Sequence, residues 1–363
     1  MKKVLLVLGN NRVYGTEKYV IDIASGISKN EFEVTVAIPE EGPISTVLSN
    51  LQIPQYVYNN GKMDFFSLKG TSNLLKYIYI SGFDIIHANN GIIPCVIGLL
   101  LGVKMKIENK HGLYLEDEIK NYSFSKVFKE KIKQYFTNIT LVTSTHDKNI
   151  VTKYFNYNSG KIRIVSNRID FQKLKLSKNR FNNFEKNSEI NICSVGRLTY
   201  QKNQEVMIRS MSHVVKKYKN AKLSIVGTGE DKEELLKLIN ELNLNNSVKI
   251  LPYTDKIPEF LDSNDIFILT SRFEGVTYAV QEAMGMGIPV ISTYVGGLQD
   301  LLINRKNSLV VPSGNYTETS EAIIELIENK DLYNSISSNG ISCIKENSLD
   351  KMISEITSVY NNF

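Results

Sequence analysis

The stretch Ser271-Arg272-Phe273-Glu274-Gly275-Val276-Thr277-Tyr278-Ala279-Val280-Gln281-Glu282 carries two carboxylates, Glu274 and Glu282, with seven residues between them. It follows an apolar run at 266–269 and passes from a Gly-containing loop into a helix-forming segment. A loop that opens a helix offers unpaired backbone N–H groups and the positive end of the helix dipole, which together suit a phosphate. Glu274 falls in the loop. Glu282 falls about one turn into the helix, where a carboxylate can accept hydrogen bonds from sugar hydroxyls. One carboxylate on either side of an anion-binding helix start suggests a nucleotide-sugar pocket. Taken alone, the same pair also fits two solvated helix-end glutamates, since acidic residues favour a first turn.

Cations precede this stretch. Gly196-Arg197-Leu198-Thr199-Tyr200-Gln201-Lys202 follows an apolar run at 190–195. The planar fork of Arg197 and the point charge of Lys202 neutralise a diphosphate well. Where charge builds on a departing diphosphate, such cations stabilise the transition state more than the ground state. Gly227-Thr228-Gly229-Glu230 and Gly296-Gly297 each follow a further apolar run. By themselves they read as tight turns, and neither is the Gly-rich fingerprint of a dinucleotide fold. That disfavours a nicotinamide-dependent dehydrogenase.

In this order, these features resemble the retaining GT-B glycosyltransferases of family 4, the glycosyl transferases group 1. The resemblance implies α/β architecture: two doubly wound Rossmann-like domains facing across a cleft. It implies that Glu274 contacts the transferred sugar, with Gly275, Val276 and Thr277 around it, and that Glu282 holds the ribose. Gly196, Arg197 and Lys202 would hold the diphosphate. In the first half, Asn10-Asn11-Arg12-Val13-Tyr14-Gly15-Thr16-Glu17 resembles the family's Gly-rich loop near sugar and acceptor, with Gly15 in the binding position. His111-Gly112 resembles the family's loop histidine, whose ring lies against the sugar and the reacting centre. His87, also after an apolar run, is read as structural. The chain departs from the family pattern at Tyr14, where a second Gly is common, and at Arg168 in Asn167-Arg168-Ile169-Asp170, where the family has Asn-Gly-x-Asp.

The elements that must position these residues alternate between β and α. Apolar runs bounded by turn residues lie at 4–8, 34–38, 85–87, 105–108, 139–143 and 162–165, then at 190–195, 223–226, 248–251, 266–269, 290–292 and 309–311. Helix-period segments such as 203–218, 232–242 and 317–328 separate them. This pattern predicts parallel sheets covered on both faces, with ligands at the C-terminal strand ends. The expected organisation is an acceptor-binding domain over 1–170, a polar linker at 171–189, a nucleotide-sugar domain over 190–345, and a C-terminal helix at 346–363 returning to the first domain.

At 363 residues the chain is long enough for two cores, and its 42% apolar and 22% charged residues are those of a globular protein. Cys95, Cys193 and Cys343 are scattered without ligand spacing, as in a reducing cytosol. The longest apolar stretch, at 92–103, holds Pro94 and is only 12 residues, too short to cross a bilayer. No targeting signal is visible. Residues 1–170 carry 21 basic and 15 acidic side chains, and the remainder 22 and 23. The basic first half is suited to an anionic membrane surface. Nucleic acid is not expected, as no interleaved Arg-aromatic pattern appears. Residues 122–136 put Phe124, Val127, Phe128, Ile132, Tyr135 and Phe136 on one helical face beside lysines. A helix burying that aromatic face is the favoured reading, and one resting on a membrane is the other.

No Asp-x-Asp and no His/Cys cluster calls for a metal, and no cofactor is expected beyond the donor as substrate. The reading is a hexosyl- or N-acetylhexosaminyl-type transferase, metal-independent and cytoplasmic, either free or peripheral on the inner face of the cell membrane. It would take a UDP-sugar in preference to a GDP-sugar and build a cell-surface glycan on a glycan or lipid-linked acceptor. The resemblance also leaves a catalytically silent nucleotide-sugar or glycan binder, or a phosphorylase or epimerase of the same fold, as alternatives.

Overall fold

The computed structural model describes every residue except 12–14, 28, 60–66, 90, 112–115, 175–188 and 363. The chain divides into two compact units, Met1–Asn167 with Leu349–Phe363, and Arg168–Ser348. Each is a wholly parallel sheet with helices on both faces.

The first unit holds strands β1 (Lys2–Val7), β2 (Phe32–Ile38), β3 (Gln55–Val57), β4 (Ile85–Asn89), β5 (Met105–Lys110), β6 (Ile139–Val142) and β7 (Ile162–Ile164), in the order β3-β2-β1-β4-β5-β6-β7. Alternate residues of β1 enter different cores. Val4 and Leu6 pack with the helices Gly15–Gly26 and Leu349–Asn361, whereas Leu5 and Val7 pack with Leu74, Ile78 and Ile97 on the other face. A strand buried on both sides must read as a continuous apolar run, which is why β1 lacks polar alternation. β3 escapes sequence patterning: it is a three-residue edge strand whose side chains are all half-buried. The C-terminal helix Leu349–Asn361 contributes Met352, Ile356 and Tyr360 to this unit's core.

The second unit holds β8 (Ile190–Val195), β9 (Ala221–Val226), β10 (Val248–Leu251), β11 (Ile266–Leu269), β12 (Val290–Thr293) and β13 (Leu309–Val311), in the order β10-β9-β8-β11-β12-β13. Here too the sheet is covered on both faces. Ile266 and Ile268 belong to one core, and Phe267 and Leu269 to the other.

One expectation changes. Residues 122–136 do not form one helix burying an aromatic face. An α-helix, Phe124–Lys133, runs into a 3-10 turn, Gln134–Phe136, and none of that α-helix's residues is buried. Phe124 is 86% exposed and Phe128 52% exposed, stacked on each other. Val127 alone of the helix packs onto a neighbouring core. The helix is held instead by ionic contacts. Lys110 of β5, itself buried, meets Glu130 at 2.9 Å, and the Tyr157 hydroxyl donates to the Glu130 carbonyl at 3.1 Å. Arg168 stands where the family pattern has a glycine. It is not among the described residues with positive φ, so the turn is made without the left-handed backbone that a glycine there would permit. Phe171 and Leu174 pack on the second unit's core, and most of the expected linker lies outside the described residues.

Candidate active site

β8 and β11 are hydrogen-bonded neighbours at the point where the strand order of the second sheet reverses. Loops leaving the C-terminal ends of two such strands diverge and leave room for a ligand between them. Those loops are residues 196–203 and 270–277, the two that carry the candidate charges.

The two loops are stitched together by hydrogen bonds of their own. The Arg272 N–H donates to the Gln201 carbonyl at 2.8 Å, the Thr270 hydroxyl to the Asn203 carbonyl at 2.9 Å, and Arg272 Nη2 to Asn203 Oδ1 at 2.9 Å. The Arg272 guanidinium also lies over the Tyr200 ring, 4.3 Å from its centroid.

On this scaffold the charged groups form one chain. Glu274 Oε1 accepts from Lys202 Nζ at 2.5 Å and from the Ser271 hydroxyl at 2.6 Å. Gln201 Nε2 lies 3.4 Å from Glu274 Oε2 and donates to the Phe273 carbonyl at 3.1 Å. Gln201 Oε1 in turn accepts from Arg197 Nη2 at 3.0 Å. The side chains of Lys202 and Glu274 are only 14% and 5% exposed, whereas Arg197 is exposed. The pair is therefore a largely desolvated ion pair with an arginine held beside it through an amide. Gln201 and Ser271 carried no role in the sequence reading. Both sit inside the quoted motifs, and only the folded geometry shows that each bonds the Glu274 carboxylate.

The glycines have a definite task. A Cβ on Gly227 would stand 1.9 Å from the Gly196 carbonyl oxygen, and one on Gly296 would stand 1.9 Å from the Glu274 carbonyl oxygen. The Gly297 N–H donates to that same Glu274 carbonyl at 2.9 Å. Each glycine pair thus lets a neighbouring loop press backbone to backbone against a loop that carries charge. Gly196 lies against the Lys202 stem. Gly275, Val276 and Thr277 lead into the helix Tyr278–Gly285, where Thr277 is the N-cap and accepts from the Val280 N–H at 3.2 Å. Glu282 stands one turn into that helix, half-buried.

Gly15 and His111 belong to the first unit. Gly15 opens the helix Gly15–Gly26 after β1, and Tyr14 and Gly112 lie outside the described residues. His111 follows β5. Its Nε2 lies 2.9 Å from Asn89 Oδ1 and 3.1 Å from Asn109 Nδ2, and the Tyr19 ring meets its ring edge-on at 4.9 Å. Burial holds His111 well below the usual imidazole range, at about 3. His87, fully buried, is likewise held down to about 3, first by burial and then by the nearby His111. Among the described residues, no group of three or more His, Cys, Asp or Glu is placed to hold a metal ion, and no helix is long and apolar enough to cross a membrane.

Comparison with known proteins bears directly on this arrangement. Residues 177–342 match the glycosyl transferases group 1 model, and residues 13–173 match the glycosyltransferase family 4 model. The chain belongs to this glycosyltransferase family. An uncharacterised glycosyltransferase of Methanocaldococcus jannaschii is 35% identical over 63% of this chain and 60% of its own length. The UDP-Gal:alpha-D-GlcNAc-diphosphoundecaprenol alpha-1,3-galactosyltransferase of Escherichia coli is 24% identical over 84% of this chain and 82% of its own. Among solved structures, Anabaena HepE in complex with UDP-glucose superposes with a TM-score of 0.84 at 19% identity, covering both chains completely. The two parallel-sheet α/β units of this glycosyltransferase are those of the GT-B fold.

Proposed function

We propose that this glycosyltransferase is a retaining enzyme that moves a hexosyl or N-acetylhexosaminyl group from a nucleotide sugar, a UDP-sugar in preference to a GDP-sugar, to a glycan or lipid-linked acceptor. The observation that carries the reading is the chain Arg197–Gln201–Glu274–Lys202 at the switch point between β8 and β11. Two cations suit a diphosphate, and a carboxylate anchored between them suits sugar hydroxyls. The UDP-glucose bound by HepE and the UDP-Gal and diphosphoundecaprenol in the name of the E. coli relative support the donor and acceptor classes.

In the proposed reaction the bond from the anomeric carbon to the β-phosphate oxygen breaks, and the acceptor oxygen bonds to the same face through an oxocarbenium-like state. The acceptor's proton passes to the departing diphosphate oxygen. Arg197 and Lys202 stabilise the charge that develops on that diphosphate, so the reaction needs no metal ion. Glu274 positions the sugar from its hydroxyls, with Gly275, Val276 and Thr277 around it. Glu282 holds the ribose, His111 supports the transition state, and Gly15 lies on the acceptor side.

The test is a panel of UDP-, GDP-, ADP- and TDP-sugars, read by thermal shift and by slowly released nucleotide. Stabilisation by one UDP-sugar, with release abolished by Glu274→Ala together with Arg197→Ala, is the expected result. Full activity in that double variant would sink the reading. No shift with any nucleotide sugar would favour a silent binding protein.

A membrane-facing role for the first unit rests on a separate observation. Phe124 and Phe128 stand exposed on a helix that also carries Lys126, Lys129, Lys131 and Lys133. Apolar rings between lysines suit an anionic bilayer surface. The protein is expected to co-float with vesicles containing anionic lipid and not with neutral ones, and Phe124→Ser with Phe128→Ser should release it. Equal behaviour on both vesicle types would overturn this role.

A further inference from the structure

The first unit contains a buried polar array that the proposed reaction does not yet use. Tyr360, fully buried on the C-terminal helix, has its hydroxyl 2.7 Å from His87 Nδ1 in the middle of β4. The Tyr360 and His87 rings meet edge-on at 5.9 Å. Tyr19, also fully buried, stands edge-on to His87 at 6.3 Å and to His111 at 4.9 Å. Three elements far apart in sequence thus converge behind His111: the helix after β1, strand β4, and the last helix of the chain.

The hydrogen bonds around His111 decide its tautomer. Asn89 Nδ2 lies 3.4 Å from the His87 carbonyl, a contact only an amide N–H can make, so Asn89 Oδ1 is the atom facing His111. Facing an acceptor at 2.9 Å, His111 Nε2 must carry the proton. Asn109, whose Nδ2 lies 3.1 Å from Nε2 and 3.5 Å from Asn89 Oδ1, must then turn its amide oxygen toward Nε2 and give up the longer contact. His111 Nδ1 and His87 Nε2 are buried without a hydrogen-bond partner among the described residues.

We propose that Tyr360, His87 and Tyr19 are positioning residues for His111: with Asn89 they hold its ring so that Nε2–H donates to Asn89 and Nδ1 is presented as a hydrogen-bond acceptor. Tyr360 fixes the His87 ring, His87 and Asn89 lie two residues apart on β4, and the Tyr19 ring closes the side of His111. The C-terminal helix is thereby part of the machinery that aims His111. This inference rests on the role given to His111 above.

Two measurements test it. In protein labelled with nitrogen-15 at its four histidines, His111 should show one neutral tautomer protonated at Nε2. A ring protonated at Nδ1, or one averaging between tautomers, would overturn the inference without any activity measurement. In Tyr360→Phe, which keeps the ring and removes the hydroxyl, kcat should fall about tenfold with donor KM within about twofold. The His111 signals should become tautomer-averaged in the same variant. Unchanged kcat together with an unchanged His111 pattern would overturn it. If Tyr360→Phe fails to fold, Tyr19→Leu, which removes the ring that closes the side of His111, is read in the same way. A wild-type protein that transfers no sugar would instead defeat the transferase reading, and the nitrogen-15 result would still decide the inference.

Discussion

Lys202→Ala is expected to lower transferase turnover by about a thousandfold and to destabilise the second unit by about 3 kcal/mol. The two losses have different origins. In the folded protein Lys202 is the cationic partner of a carboxylate that is only 5% exposed, with the ammonium at 2.5 Å. Removing it leaves Glu274 with neutral donors, the Ser271 hydroxyl and the Gln201 amide, and no compensating charge. An uncompensated charge in such a place costs far more than the intact pair contributes. The turnover loss comes from the departing diphosphate, which loses one of two cations at the moment its charge appears. The double variant Lys202→Ala/Glu274→Ala separates the effects. It should recover most of the lost stability, because neither charge remains buried, and should recover none of the turnover. Urea unfolding of the three variants and nucleotide release from each would show it. Additive destabilisation in the double variant would mean that the pair is not the desolvated unit described here.

Much of this arrangement was legible in the sequence, and the reason is local. Strands buried on both faces are largely apolar, so β11 stood out as an uninterrupted run and β8 as one broken only by Asn191 and Ser194. The residues at their C-terminal ends were then candidates by topology alone. Arg197, Lys202 and Glu274 lie on loops directly after those strands, so strand order brings them together with no further information. What the sequence did not disclose depends on contacts across long separations. Tyr360 and His87 are 273 positions apart, and nothing in either neighbourhood signals a hydrogen bond. The exposed face of Phe124–Lys133 was misjudged for a related reason. Aromatic spacing reports that a helix has an apolar side, and says nothing of whether a neighbour covers it. The anchor of that helix is ionic, through Lys110 and Glu130, which periodicity does not reveal.

The glycine turns were also only half legible, and they carry the second large expected effect. Gly227-Thr228-Gly229 and Gly296-Gly297 read in sequence as turns, with no ligand argued from them. Gly227→Ala and Gly296→Ala are each expected to reduce turnover by about a hundredfold, although neither glycine carries a functional side chain. A Cβ at either position would fall 1.9 Å from a backbone carbonyl oxygen, of Gly196 in one case and Glu274 in the other. Backbone cannot swing aside as a flexible side chain can, so the loop bearing Arg197 or Glu274 must shift by the order of an ångström. Gly296 also has φ near 53°, which adds about 1–2 kcal/mol of strain for any residue with a Cβ. Gly314→Ala separates strain from displacement. Its φ is near 80°, yet nothing lies within 4 Å of the added Cβ, so it should lose some stability and keep its turnover. Steady-state kinetics on the three variants, with folding checked by thermal unfolding, makes the comparison. Turnover lost equally in all three would assign the effect to general destabilisation. Turnover lost only at Gly227 and Gly296 would show that these glycines set how closely the loops approach, and hence where the charges of Arg197 and Glu274 come to rest.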